Sequence, residues 1–153
     1  MLPTPAMATL GELLGAPPKR GAIIDDALRV LDAEVDDKSG LGGIAIKTAY
    51  KVVKGVSPDF LRSAVDHMLD DFLNALDPIY QEAVQRGVDA RQHLLSNPSR
   101  VADQLLAITD GRAARAKNQL VKKTYEKLRD GAKKHVEAAV PRLGDLFGRH
   151  VGN

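Results

Sequence analysis

The spacing of apolar residues limits the fold of this chain more than any other feature. In residues 58–76 they recur every three to four positions and form one wide stripe, which is typical of an amphipathic helix. No stretch alternates apolar and polar residues with the period of two that a half-buried strand requires. The pattern therefore predicts an all-α fold with residues 58–76 at the centre of the core.

The composition fits one compact domain. The chain has 153 residues, a length that a single hydrophobic core usually serves. Hydrophobic residues make up 44% of the chain and aromatic residues only 4%, with no tryptophan. A core of this kind must be built from aliphatic side chains and alanine, which favours closely packed helices. We therefore expect a single-domain helical bundle.

Pairs of a polar residue and proline mark three candidate helix starts, Ser57-Pro58, Asp77-Pro78 and Asn97-Pro98. In each pair the polar side chain suits the N-cap, and proline suits the first helical position, where its missing N–H leaves no bond unmade. Thr9 and Glu12 have the spacing of a capping box ahead of a further short helix. These boundaries predict eight or nine helices.

The two ends of the chain differ in character. Four of the eight prolines lie in residues 1–19, which we interpret as a Pro-rich N-terminal arm with one short helix. Residues 20–153 form the predicted helical domain. Within it, a long amphipathic helix is predicted from about Arg112 to Val140, where Pro141 ends or kinks it before a short last helix.

The chain contains no cysteine, which excludes disulfides, thiolate metal ligands and a cysteine nucleophile. Its N-terminus lacks the basic segment of a secretory signal, and no apolar run approaches the ~20 residues that span a bilayer. We expect a cytoplasmic protein without a transmembrane segment.

Charge is distributed unevenly along the chain, although the net charge is only +2. Residues 57–110 carry nine acidic and four basic side chains, whereas residues 111–153 carry eleven basic and four acidic ones. The basic helix 112–149 could bind an anionic membrane or nucleic acid. Alternatively it could run beside the acidic helix in residues 58–77 and join charges with it, and we prefer this structural interpretation.

A second basic stripe follows a glycine-rich segment. Residues 39–48 superficially resemble a phosphate-binding loop, but Ile46 stands where that loop needs glycine, so nucleotide binding is not predicted. We interpret the segment as a tight helix–helix corner and the start of a helix whose small face lets another backbone approach closely. That small face is Gly42, Ala45 and Ala49. The possible interaction surface combines this helix with the basic C-terminal region: Lys47, Lys51, Lys54, Arg112, Arg115, Lys122, Lys123, Lys133 and Lys134.

The acidic cluster Asp66, His67, Asp70 and Asp71 is the only arrangement that suggests a metal-dependent enzyme. These side chains lie away from the apolar stripe, and a solvated face explains them without a metal. The Glu-x-x-His pair of di-iron bundles is missing, and no Ser-His-Asp spacing occurs. We predict no catalytic residue, metal or cofactor, and a protein that is not an enzyme.

Several segments together resemble a family of small uncharacterised bacterial helical proteins, found in actinobacteria. They are Ala33-Glu34-Val35, Asp37-Lys38-Ser39-Gly40-Leu41, Ala45-Ile46-Lys47-Thr48-Ala49-Tyr50-Lys51, Leu69-Asp70-Asp71-Phe72 and Ala75-Leu76-Asp77-Pro78. The resemblance covers residues 10–125 and does not include the basic tail after Gly131. It implies a bacterial cytoplasmic origin but no activity, so no functional residue is transferred.

We expect a non-enzymatic protein that uses its helical faces to bind a protein partner, a lipid or another copy of itself. The alternatives are a peripheral membrane or nucleic-acid binder through residues 112–149, and a metal-dependent enzyme through residues 66–71.

Overall fold

The structure is a computed structural model. It describes residues 8–151, which form seven α-helices and no strand. The helices are α1 (Leu10–Leu14), α2 (Lys19–Asp36), α3 (Gly40–Lys54), α4 (Phe60–Arg86), α5 (Ala90–Leu95), α6 (Pro98–Ala114) and α7 (Gln119–Val151). The all-α prediction is confirmed. The predicted count of eight or nine helices is wrong for this part of the chain, because two pairs of predicted helices are continuous.

Two of the four predicted helix starts are correct. Thr9 caps α1, and its hydroxyl oxygen accepts the Glu12 N–H at 3.1 Å. Helix α6 begins at Pro98. At Ser57-Pro58 the prediction is early, since α4 begins at Phe60.

The predicted start at Asp77-Pro78 is wrong because α4 continues through it. The buried stripe of α4 runs without interruption across the proline, from Leu76 to Ile79 and Ala83. Asp77 caps a different helix, since its Oδ1 accepts the N–H of Leu10 in α1 at 2.9 Å. Packing of the apolar stripe therefore overrides the local preference of proline for a helix start.

The boundaries of the C-terminal helices also differ from the prediction. Residues 115–118 separate α6 from α7, so the predicted helix from Arg112 to Val140 is broken near its beginning. The side chain of Asn118 accepts the Val121 N–H at 3.1 Å and starts the new helix. Pro141 is exposed and lies inside α7, which includes the predicted last helix.

Helix α4 supplies the centre of the core, as the sequence predicted. Its Leu69, Leu73, Leu76 and Ile79 are at most 5% exposed. They share one hydrophobic cluster with residues from α1, α2, α5, α6 and α7: Leu10, Leu14, Ile23, Ile24, Leu94, Val101, Val140, Leu146 and Phe147. The short helix of the N-terminal arm thus packs into the body, while residues 1–7 of the arm lie outside the described residues. The boundary at residue 19 stays a prediction.

The beginning of the predicted basic helix does pair with the acidic helix, through Arg112 of α6 and Asp71 of α4. Helix α7 does not run beside α4, so the preferred charge pairing is wrong for the rest of the basic helix. Its backbone lies against α5, α6 and α2. The acidic partners of its basic side chains come from α6 and α2; for example, Lys133 lies 2.9 Å from Asp103. None of the helices described here is long and apolar enough to cross a membrane.

Candidate interaction surface on α3

Helix α3 takes less part in the core than its neighbours. Gly43 is its only buried residue, and no α3 side chain belongs to the hydrophobic cluster within residues 8–151 or packs against it. The helix carries Leu41, Ile44 and Ile46 among other apolar residues, so this exposure does not follow from a polar sequence.

A tight corner joins α3 to α2, as predicted. Gly40 has φ +72°, in the left-handed region that glycine adopts without strain. A Cβ on Gly43 would lie only 2.7 Å from the carbonyl carbon of Lys38. Lys38 in turn lies 3.5 Å from Glu34 of α2. The first turn of α3 is therefore held closely against the end of α2.

The opposite side of α3 presents apolar side chains to water. Leu41 is 88% exposed and Ile44 is 63% exposed, and both Ala45 and Thr48 are exposed as well. These four positions are spaced i, i+3, i+4 and i+7, so they lie on one side of the helix. We call them the outward face of α3.

The predicted small face of this helix is only partly correct. Gly42 and Ala45 are exposed, and nothing lies within 4 Å of a Cβ placed on Gly42. The close backbone approach occurs one residue later, at Gly43. Ala49 is half-buried on the packed side.

Two of the three predicted lysines of α3 are free of ion pairs. Lys47 and Lys51 are exposed and have no acidic partner within residues 8–151. Lys54 lies 3.7 Å from Asp32 of α2 and 5.0 Å from the centre of the Tyr50 ring. The Tyr50 hydroxyl donates to Asp32, and burial together with this carboxylate raises the pKa of Tyr50.

The remaining predicted basic residues lie on α6, on α7 and between them. Arg112 donates to the backbone carbonyl of His67 at 2.8 Å and lies 3.9 Å from Asp71. Lys133 pairs with Asp103. In the part of the chain that the structure describes, four have no ion pair: Arg115, Lys122, Lys123 and Lys134. At the start of α7, close to Lys122 and Lys123 in sequence, Leu120 is 55% exposed.

The acidic cluster on α4 is bound by an arginine. Arg20 lies 2.9 Å from Asp66 and 2.8 Å from Asp70, and it donates to the carbonyl of Gly15 at 2.9 Å. His67 directs Nδ1 to a backbone carbonyl of its own helix. Among the described residues, no group of three or more His, Asp or Glu side chains could hold a metal ion. Arg20 is 46 residues from Asp66, so no local pattern could reveal this contact.

Sequence reasoning also missed two buried carboxylates of α2. Asp26 is 7% exposed and accepts hydrogen bonds from Arg149 and His150, while Glu34 is 9% exposed and pairs with Arg142. The carboxylates are eight residues apart on α2, and the arginines are seven apart on α7. This matching spacing on two antiparallel helices is a signal that could have indicated the contact.

Two openings elsewhere in the described surface offer no comparable candidate. One of about 430 Å³ is lined by residues 96–100, 103 and 104 at the start of α6. Its Arg100 and Asp103 already pair with Glu82 and Lys133. An apolar void between Leu10, Leu76 and Phe147 measures only about 10 Å³.

These features define a class: a small all-α protein whose least buried helix presents apolar and cationic side chains to its surroundings. The chain belongs to a family of unknown function, DUF6918, whose sequence pattern matches residues 10–151. The family resemblance is therefore confirmed. The match includes the basic tail after Gly131, so the expectation that this tail lies outside the shared pattern is wrong. No curated protein and no solved structure matches the chain.

Proposed function

We propose that this protein is a non-enzymatic interaction protein whose docking site is the outward face of α3. The observation that carries the proposal is the exposure of Leu41 and Ile44, at 88% and 63%, on a helix that the core does not need. Isolated exposed apolar residues are common on protein surfaces. Here two large ones are adjacent on one helix face, and Val88 and Leu120 are the only other large apolar residues exposed in the described part of the chain.

Covering this face contributes enough binding free energy to support docking. Burying a leucine or isoleucine side chain stabilises a complex by about 1.5–3 kcal/mol. A partner that covers both Leu41 and Ile44 therefore gains roughly 3–6 kcal/mol before the entropy loss of association is subtracted. Lys47 and Lys51, one and two turns beyond Ile44, add an electrostatic preference for an anionic partner.

A non-enzymatic role is supported by the contacts of the titratable groups. Arg20 binds Asp66 and Asp70, the carboxylates that a metal-dependent enzyme would need. Asp26 and Glu34 join α2 to α7. A reducing compartment such as the cytoplasm suits a chain without cysteine.

A second candidate function is polyanion binding at the junction of α6 and α7. Arg115, Lys122 and Lys123 have no ion pair among residues 8–151 and lie near the exposed Leu120 in sequence. This candidate has less apolar surface than the outward face of α3, since Leu120 is its only exposed large hydrophobic residue in the described chain.

Photo-crosslinking in living cells tests the proposal. A photoreactive amino acid is placed at position 44, at position 120 and, as a control, at position 85, where Gln85 is exposed on α4. We expect an adduct of protein or lipid from position 44 and none from position 85. An adduct from position 120 alone would favour the second candidate and overturn the first. If position 44 yields nothing, or no more than position 85, the docking site is not on α3.

A further inference from the structure

We infer that the outward face of α3 docks on the surface of an anionic lipid bilayer. The inference rests on the proposed function and names the partner of the same face.

The charge of α3 favours an anionic partner. Residues 40–54 contain three lysines and no acidic side chain. The only acid pair found for these lysines in the described residues is that of Lys54 with Asp32, so Lys47 and Lys51 are available to an outside anion. Anionic headgroups present such charges at high density across a whole surface.

The positions of the lysines on α3 also suit a bilayer surface. Lys47 and Lys51 follow Ile44 at i+3 and i+7, so they lie along one edge of the outward face. A helix lying in the interface buries its apolar side chains at the boundary of headgroups and acyl chains. Long lysine side chains at the edge then extend toward the phosphates.

The shape of the surface separates a bilayer from a protein partner. A stable protein interface covers about 800 Å² on each partner, with some 20–30 residues. The outward face is the convex side of one helix and offers two large apolar side chains, Leu41 and Ile44. A bilayer needs no complementary groove, because lipids adapt to the side chains that enter.

A second copy of the chain fits the face less well. In a two-fold dimer the same patch meets itself. Lys47 and Lys51 of one copy would then lie close to the same lysines of the other, with no acidic residue of α3 between them. Like charges at an interface oppose association.

Sedimentation of the full chain with lipid vesicles tests the inference. The probes are vesicles of phosphatidylcholine with phosphatidylglycerol, and vesicles of phosphatidylcholine alone, each at low and high salt. We expect the chain to bind the anionic vesicles. Binding to the neutral vesicles should be at least about tenfold weaker, and binding to the anionic vesicles should weaken at high salt.

Three double variants locate the contact. Leu41→Gln with Ile44→Gln removes the apolar side chains, and Lys47→Glu with Lys51→Glu reverses the charges. Both should weaken binding at least about tenfold, since each pair contributes a separate part of the attachment. The matched control, Lys122→Glu with Lys123→Glu, reverses two lysines of α7 and should leave binding within about twofold. Circular dichroism checks that all variants keep the helical content of the parent.

Each other outcome overturns the inference. Loss of binding in the Lys122/Lys123 variant alone would move the membrane contact to α7, and equal binding to neutral vesicles would remove the role of the lysines. If the chain binds no vesicle, the crosslinks from position 44 show whether the docking site on α3 still stands without the membrane as its partner. A protein adduct would keep the proposed function with an acidic protein as partner, and no adduct would end both.

Discussion

Asp26 is the most enclosed charged side chain in the described structure. It accepts hydrogen bonds from Arg149 at 2.9 and 3.0 Å, and it lies 2.9 Å from Nε2 of His150. Burial favours the neutral form of this carboxyl, but the hydrogen bonds from His150 and Arg149 outweigh burial and lower the pKa of Asp26. Because Lys19 also donates to the carbonyl of His150 at 2.7 Å, the end of α7 is held at the start of α2.

Asp26→Asn should lower the free energy of unfolding by about 1.5–3 kcal/mol, because the buried charge and one of its two acceptor oxygens are lost while the donors remain. The urea midpoint measures the change. The matched control is Asp25→Asn at the neighbouring position, where an exposed pair with Arg62 contributes only about 0–1 kcal/mol. Equal effects of the two substitutions would show that Asp26 is not a structural contact of the kind described.

The contacts of Glu82 should make the stability of the folded protein depend on pH in the acidic range. The Arg100 guanidinium, followed by His93, lowers the pKa of Glu82 from 4.5 to about 2. Since the folded-state pKa is below the unfolded value, the contact stabilises the protein above pH 4.5, and this contribution is lost as the pH falls from 4.5 towards 2.

The melting temperature of Glu82→Gln should therefore be lower than that of the parent at neutral pH, and the gap should narrow as the pH falls below about 4.5. Glu126→Gln is the control, since Glu126 is exposed and has no ion pair within residues 8–151. It should show little difference from the parent at any pH. A gap for Glu82→Gln that does not change with pH would contradict the assigned contact.

At the scale of single elements, α3 depends on its corner with α2 rather than on the core. Gly43 packs against the backbone of Lys38, whereas Gly42, one residue earlier, faces open space. This difference between neighbouring glycines provides a test of how the helix is attached.

Gly43→Ala should destabilise the protein by about 1–3 kcal/mol, because its Cβ would lie 2.7 Å from the Lys38 carbonyl carbon. Gly42→Ala should instead stabilise α3 by roughly 0.5–1 kcal/mol, since alanine is the better helix former and meets no other atom. Urea unfolding and amide hydrogen exchange within residues 40–54 measure both effects. Changes of the same sign would mean that α3 does not pack on α2 as described.

The elements also show how far local sequence signals reach. Thr9 and Asn97-Pro98 mark real helix starts: the Thr9 hydroxyl accepts the Glu12 N–H three residues on, and Pro98 is the first residue of α6. Asp77-Pro78 misleads because its aspartate caps α1, 67 residues away, and because the buried stripe of α4 continues across the proline. The partner of a capping side chain is set by tertiary packing, which a dipeptide does not contain.

At the scale of the whole molecule, the sequence predicted the all-α fold and the central place of residues 58–76, since both follow from one periodic pattern. It also identified Lys47 and Lys51 as part of an interaction surface, which stays a prediction. It did not identify Leu41 and Ile44. Residues 40–54 carry apolar side chains on both sides, and the packing of α3 against α2, α4 and α7 decides which side is covered.

Docking requires the outward face of α3 to be open in the free protein, and the absence of cysteine makes this exposure measurable. Single-cysteine variants Leu41→Cys and Leu73→Cys are treated with a thiol reagent under native conditions. Leu41 is 88% exposed and Leu73 is 2% exposed. The thiol at position 41 should react nearly as fast as in the unfolded chain, while the thiol at position 73 should react only when the protein unfolds. Protection at position 41 equal to that at position 73 would contradict the proposed docking, because the docking face would then already be covered.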